Sequence, residues 1–216
     1  MSDRIQPSRR PVGRPGADQD VRGAILAATL RQLKQTGSPD RVTVAAVVAE
    51  AGCTPPSLYH YWPTRDLLLH EASARGWSQF RVSQNAAVAV VDRQEPLARI
   101  RLRGKAYLDF ALAEPALFRV LFLHPQANGS AVPRGERPAD MGDALHELIT
   151  DVTSAMATGQ LRPGDPIATG LALWAAVHGV AALWTMTPTL ATDLAHTVSE
   201  LAQDAILAGL SDATRE

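Results

Sequence analysis

The chain has 216 residues, 46% hydrophobic and 20% charged, with a formal net charge of -1. That composition describes a globular protein with room for a sizeable core. The lone Cys53 excludes an internal disulfide framework and a multi-cysteine zinc site, and the start of the chain has no apolar signal-peptide core, so a reducing cytoplasm is expected.

The charge is unevenly spread. Residues 1–65 hold nine Lys and Arg against five Asp and Glu, a balance of +4, and the remainder carries -5. A basic head on an acidic body is expected when only one end meets phosphate. Residues 1–18 are rich in Pro, Gly and Arg and offer nothing apolar to bury, which predicts a flexible arm. Arg9, Arg10 and Arg14 would lie along phosphates or enter a minor groove; a solubilising tail is the plainer alternative.

Asp20 to Thr36 is expected to form the first helix, on Leu26, Leu30 and Leu33 at helical spacing, with Gly37 as its stop. Thr43 caps a second helix whose apolar face is Val44, Val47, Val48 and Ala51, and Gly52 turns the chain. Cys53 reads as a small hydrophobe filling the corner. Thr54 is expected to cap a third helix that has Pro55 at its first position. Ser57, Tyr59, His60 and Tyr61 should protrude from it, while Leu58 and Trp62 face inward. Helix, tight turn and short presented helix are the grammar of a helix-turn-helix DNA reader.

The rest reads as helices: Asp66 to Val91, Pro96 to Ala113, Ala116 to Leu123, Ala139 to Thr158, Ile167 to Met186 and Thr192 to Leu210. Breaks fall at 124–138 and 159–166. Ile167 to Met186 lacks any charge and has the length of a membrane span. Its interrupting polar residues and missing basic flank favour burial in a core or a subunit interface instead. Arg99, Arg101, Arg103 and Lys105 read as a solvated face, with Glu95–Arg99 and Lys105–Asp109 as pairs along the helix. His146-Glu147 lacks the second histidine of a zinc-protease motif, and Asn128-Gly129-Ser130 reads as a turn. No metal or cofactor motif is present.

Ile25-Leu26-Ala27-Ala28, Leu30, Leu33, Gly37, Thr43-Val44, Ala51-Gly52, Leu58-Tyr59, Trp62 and Arg65-Asp66-Leu67-Leu68 resemble the N-terminal domain of TetR-family transcriptional regulators. Trp174, His178-Gly179 and Leu183 resemble the Trp-His-Gly type of C-terminal domain in that family. The resemblance implies an all-α fold: a three-helix helix-turn-helix DNA-binding domain, then an antiparallel helical ligand-binding and dimerisation domain. The corresponding segments are an arm over 1–18, a head over 19–65 and a body over 66–216.

It further implies a cytoplasmic homodimer joined by its last two helices (167–186 and 192–210), a double-stranded DNA operator, and release by a small-molecule effector. A repressor is expected rather than an enzyme. Thr43, Thr54, Tyr59, His60 or Tyr61, and Arg65 fall where the family touches DNA, and Ser57 and His60 can meet base edges. The chain departs from the family at three places. Pro55-Pro56 removes two amide donors at the head of the recognition helix, whereas Trp62 for Phe and Arg65 for Lys are mild changes. Trp77, Tyr107, Phe110, Phe118, Phe122, Trp174 and His178 are candidates for a ligand pocket, though core packing is the favoured reading of each. Two rival readings remain: a helical carrier whose helix-turn-helix no longer reads DNA, and an enzyme using His178.

Overall fold

A computed structural model describes residues 15–123, 141–187 and 189–211; the arm residues Arg9, Arg10 and Arg14 and the expected break at 124–138 lie outside them. Among the described residues all regular structure is helical. The helices are α1 (Pro15–Thr36), α2 (Val44–Ala51), α3 (Pro55–Tyr61), α4 (Arg65–Val88), α5 (Pro96–Ala113), α6 (Pro115–Phe118), α7 (Met141–Ala157), α8 (Pro166–Met186) and α9 (Thr192–Leu210). A 3-10 turn at Pro39–Arg41 precedes α2, and a π-helical turn at Arg119–Leu123 follows α6, where an uninterrupted helix was expected.

α1 begins at Pro15, five residues before the expected start at Asp20, so residues 15–18 are helix and not arm. Proline costs nothing in a first helical turn, where its missing N–H would have no partner. α2 closes as its sequence predicts. Thr43 Oγ1 accepts from the Ala46 amide at 3.2 Å, and Gly52 takes φ +66°, a left-handed conformation that glycine adopts without steric cost.

Three apolar clusters organise the chain. The first gathers Ile25, Leu26 and Leu33 of α1, Val47 and Val48 of α2, Leu58 of α3 with the adjoining Trp62, and Leu68, Leu69 and Ala72 of α4. The second is aromatic and lies in the body: Trp77, Phe80, Tyr107, Phe110 and Phe118, joined by Val177, Val180 and Trp184. A third, aliphatic cluster of Ile100, Leu148, Val152, Leu161, Leu173 and Leu207 seals the far end. α4 belongs to both ends of the molecule: its first turns complete the head core and its later turns carry Trp77 and Phe80 into the body. Head and body are also tied by the Lys34–Glu114 ion pair at 2.8 Å and by Val120, which follows α6 yet packs in the head core.

α8 packs against α5, α7 and α9, but only 33% of its most apolar stretch is buried in the single chain. It is long and apolar enough to cross a membrane by length and composition. Ile167, Leu171, Ala175, Gly179 and Leu183, each four residues apart, form one exposed stripe on it. α9 adds Leu194 and Leu201, which are 48% and 66% exposed.

Candidate functional site

α3 is held by two anchors. Leu58 is fully buried, and Trp62 is buried with its indole N–H donating to Glu71 Oε2 at 2.7 Å. Glu71 also binds Arg22 at 2.6 Å, and the Arg22 guanidinium lies 5.3 Å from the centre of the Trp62 ring. α1 and α4 thus clamp the end of α3 with a charge-assisted bond and a cation–π contact. With that side fixed, Tyr59 and His60 turn outward, Tyr59 being 47% exposed. Tyr61 is half-buried against the head core, its ring 5.1 Å from that of His60, edge to face.

Thr54 occupies the N-cap position of α3 but makes no capping bond through its side chain, a correction to the sequence expectation. Pro56 leaves no N–H at the second helical position, and at the third the Thr54 hydroxyl pairs with the Ser57 hydroxyl at 3.0 Å rather than with the Ser57 amide. Thr43 is exposed, so its hydroxyl hydrogen remains available while its oxygen caps α2. Arg65 spends Nε on the Val42 carbonyl at 2.8 Å and a terminal nitrogen on the Pro39 carbonyl, and it lies 3.7 Å from Asp66. It therefore staples the turn before α2 to the start of α4.

The cations of the described head are mostly committed. Arg22 pairs with Glu71, Arg31 with Glu50 and Lys34 with Glu114. Arg41, on the 3-10 turn beside α2, is exposed and makes no ion pair among the described residues. Sequence reading passed over it because an isolated arginine in a turn has no periodic signature. Cys53 packs against the head core, and burial pushes its thiol up, as suits an inert small hydrophobe.

The body contains a cleft between α4, α5, α7, α8 and α9. Counting the open solvent at its mouth it spans about 340 Å³, and its enclosed part has room for little more than a water molecule. Ile100, Leu148, Leu173 and Val177 supply apolar wall, and Gln84, Arg103, Tyr107, Trp174 and Gln203 line it as well. Of the aromatics singled out in the sequence, Tyr107 and Trp174 reach this cleft. Trp77, Phe110, Phe118, Phe122 and His178 pack beside it, in a cluster with Phe118–Phe122 at 4.8 Å and Trp77–Phe122 at 4.6 Å. His178 Nδ1 and the Tyr107 hydroxyl share a hydrogen bond of 2.7 Å. Burial pushes the Tyr107 hydroxyl above its ordinary range and lowers His178, so both sit as neutral groups.

Arg99 and Arg103 are not on a solvated face, as the sequence had suggested. Four residues apart on α5, both face α7, where Asp151 receives Arg99 at 2.8 Å and Arg103 at 2.6 Å, and Glu147 receives Arg103 at 2.9 Å. Arg99 accordingly takes no part in a Glu95 pair, whereas Lys105–Asp109 forms as expected at 2.7 Å.

Residues 25–72 match the family model for bacterial regulatory proteins of the tetR family, and residues 100–207 match that for the tetracyclin repressor-like C-terminal domain. The chain belongs to the TetR family. Its helix-turn-helix falls inside the first match and its cleft largely inside the second, so the family's DNA-binding and C-terminal domains are both represented. No curated protein matches the sequence. Among solved structures, a protein of unknown function from Rhodococcus sp. RHA1 is similar at 25% identity and TM-score 0.73, over 89% of this chain and 96% of that one. The regulator FadR from Bacillus subtilis, solved with stearoyl-CoA, has 12% identity and TM-score 0.66, over 88% and 99%. The TetR-family regulator PfmR from Thermus thermophilus has 18% identity and TM-score 0.60, over 83% and 96%. The latter two establish likeness of fold.

Proposed function

We propose that this TetR-family protein is a cytoplasmic, ligand-responsive repressor that binds a near-palindromic operator as a homodimer. The observation that carries the reading is the split character of α3: Leu58 and Trp62 are locked inward while Tyr59 and His60 stand in solvent. A short helix so presented can enter a major groove, where His60 and Ser57 meet base edges and Tyr59 meets phosphate or sugar. Thr43, Thr54 and Arg41 flank it as phosphate contacts, with Arg65 setting the angle between α2 and α4, and the arm bearing Arg9, Arg10 and Arg14 adds charge. The head over 19–65 and body over 66–216 then divide near the start of α4, the helix that runs through both.

The uncovered stripe of Ile167, Leu171, Ala175, Gly179 and Leu183, with Leu194 and Leu201 beside it, suits an isologous seam with a second copy. Ala175 and Gly179 allow close approach at its middle. A paired body would hold two α3 helices one helical turn of DNA apart. An effector entering the cleft must widen it, and α4 forms one of its walls. That displacement would change the head spacing, to the extent that the ligand prefers the widened state.

A gel-shift with DNA flanking the protein's own gene tests the reading. The expected result is a salt-sensitive complex that resists unrelated competitor DNA and is lost in Tyr59→Ala. In Arg41→Ala the logarithmic salt slope should fall by about one per neutralised phosphate. A folded dimer that retards no such fragment would instead favour a carrier, in which Pro55-Pro56 has cost the head its reading function.

A further inference from the structure

The cleft carries polar chemistry that its apolar walls conceal. Gln84 on α4 is 5% exposed, and its Nε2 has no hydrogen-bond partner among the described residues. An amide nitrogen left so in apolar surroundings is costly, and an acceptor placed in the cleft would recover that cost. On α9, Gln203 is 4% exposed and directs its Nε2 to the carbonyl and the hydroxyl of Ser199, each at 3.3 Å. Its Oε1 is thereby left as an acceptor. That oxygen rests on Gly104, where an added Cβ would lie 2.0 Å from it, so only glycine leaves Gln203 its place.

The charged residues of this region cancel. Two guanidinium groups, Arg99 and Arg103, meet two carboxylates, Asp151 and Glu147. No cation is left among them to neutralise an anionic ligand and no carboxylate to neutralise an amine. An unpaired charge brought into such a site is strongly disfavoured.

We infer that the cleft takes an uncharged, largely apolar molecule bearing a carbonyl-type acceptor, held by the side-chain amide N–H of Gln84. This rests on the ligand-responsive reading above and names the chemical class of its effector. Ile100, Leu173, Trp174 and Val177 cover the apolar part of the ligand, and its carbonyl oxygen replaces what Gln84 otherwise lacks.

Two dyes of comparable size separate the possibilities: prodan, a neutral naphthyl ketone, and the anion anilinonaphthalene sulfonate. Fluorescence titrations would use the full-length protein, Gln84→Leu and the cleft-filling Val177→Trp. Gln84→Leu should fold at least as stably as the parent, because it removes a buried amide nitrogen that has no partner. Wild type should bind prodan more tightly than the anion, and Val177→Trp should abolish binding. Gln84→Leu should weaken prodan binding about three- to tenfold and shift its emission to the blue as the ketone loses its donor. Unchanged prodan affinity in Gln84→Leu would overturn the inference. So would an anion bound more tightly than prodan in a manner blocked by Val177→Trp, which would still leave the body a ligand domain. If neither dye binds in a way that Val177→Trp blocks, the inference and the ligand-responsive reading fall together.

Discussion

Among their described side chains α1, α2 and α3 bury one polar group, Thr29, and its hydroxyl donates to the Ile25 carbonyl of its own helix. The body buries Gln84, Arg103, Asp151, Thr169, Ser199 and Gln203, and hydrogen-bonds His178 to a buried tyrosine. The core of the head is therefore apolar, with the Trp62–Glu71–Arg22 clamp and the Arg65 staple at its rim, and Tyr59 and His60 are left outside it. The body places polar groups inside, which packing alone would disfavour, and thereby provides hydrogen-bonding positions in its cleft.

That contrast can be broken most forcefully at Asp151. Asp151→Ala leaves Arg99 and Arg103 side by side without their shared carboxylate and should cost about 3 to 5 kcal/mol in urea unfolding. A loss below about 1 kcal/mol would mean the ion cluster is not structural. In the head, two neighbouring positions sharpen the same comparison. Leu58→Ala opens a cavity in the apolar core and should cost about 2 to 5 kcal/mol. Tyr59→Ala, one residue along the same helix, should stay within about 0.5 kcal/mol of wild type while operator binding is lost. Equal stability losses at both positions would show that Tyr59 is packed and not presented.

A smaller effect concerns His178. Its folded pKa is lowered by burial, so the neutral form is favoured in the native state. The stability associated with neutral His178 is fully present above the unfolded value, about 6.5, and is lost as pH falls from there through the lowered folded value. Thermal melts between mildly alkaline and mildly acidic buffer should show a falling midpoint, and His178→Asn should flatten that part of the profile. An unchanged profile in the variant would place the titration elsewhere.

The head was readable because its determinants are local. Val44, Val47, Val48 and Ala51 repeat with the helix, Gly52 ends it, and Leu58 and Trp62 are spaced four apart. Its misreadings were local as well: Pro15 belongs to a helical first turn, and the Thr54 hydroxyl pairs with that of Ser57 instead of capping α3. The body was readable as helices but not as a site. Arg99 and Arg103 look solvated until α7 brings Asp151 and Glu147 against them. Gln84, Arg103 and Gln203 come from three helices far apart in sequence, and no window of residues shows them meeting. The aromatics, conspicuous in the sequence, mostly pack on one another.

The central claim is that a paired body delivers two outward-facing α3 helices to one operator, and sedimentation of the protein with and without operator DNA tests it most directly. The wild type should sediment as a dimer and load two chains on each duplex. Leu183→Glu with Leu201→Glu, both at exposed positions, should give a folded monomer whose operator affinity falls roughly a hundredfold or more. A wild type that stays monomeric, or a monomeric variant that binds operator as tightly as its parent, would contradict the account.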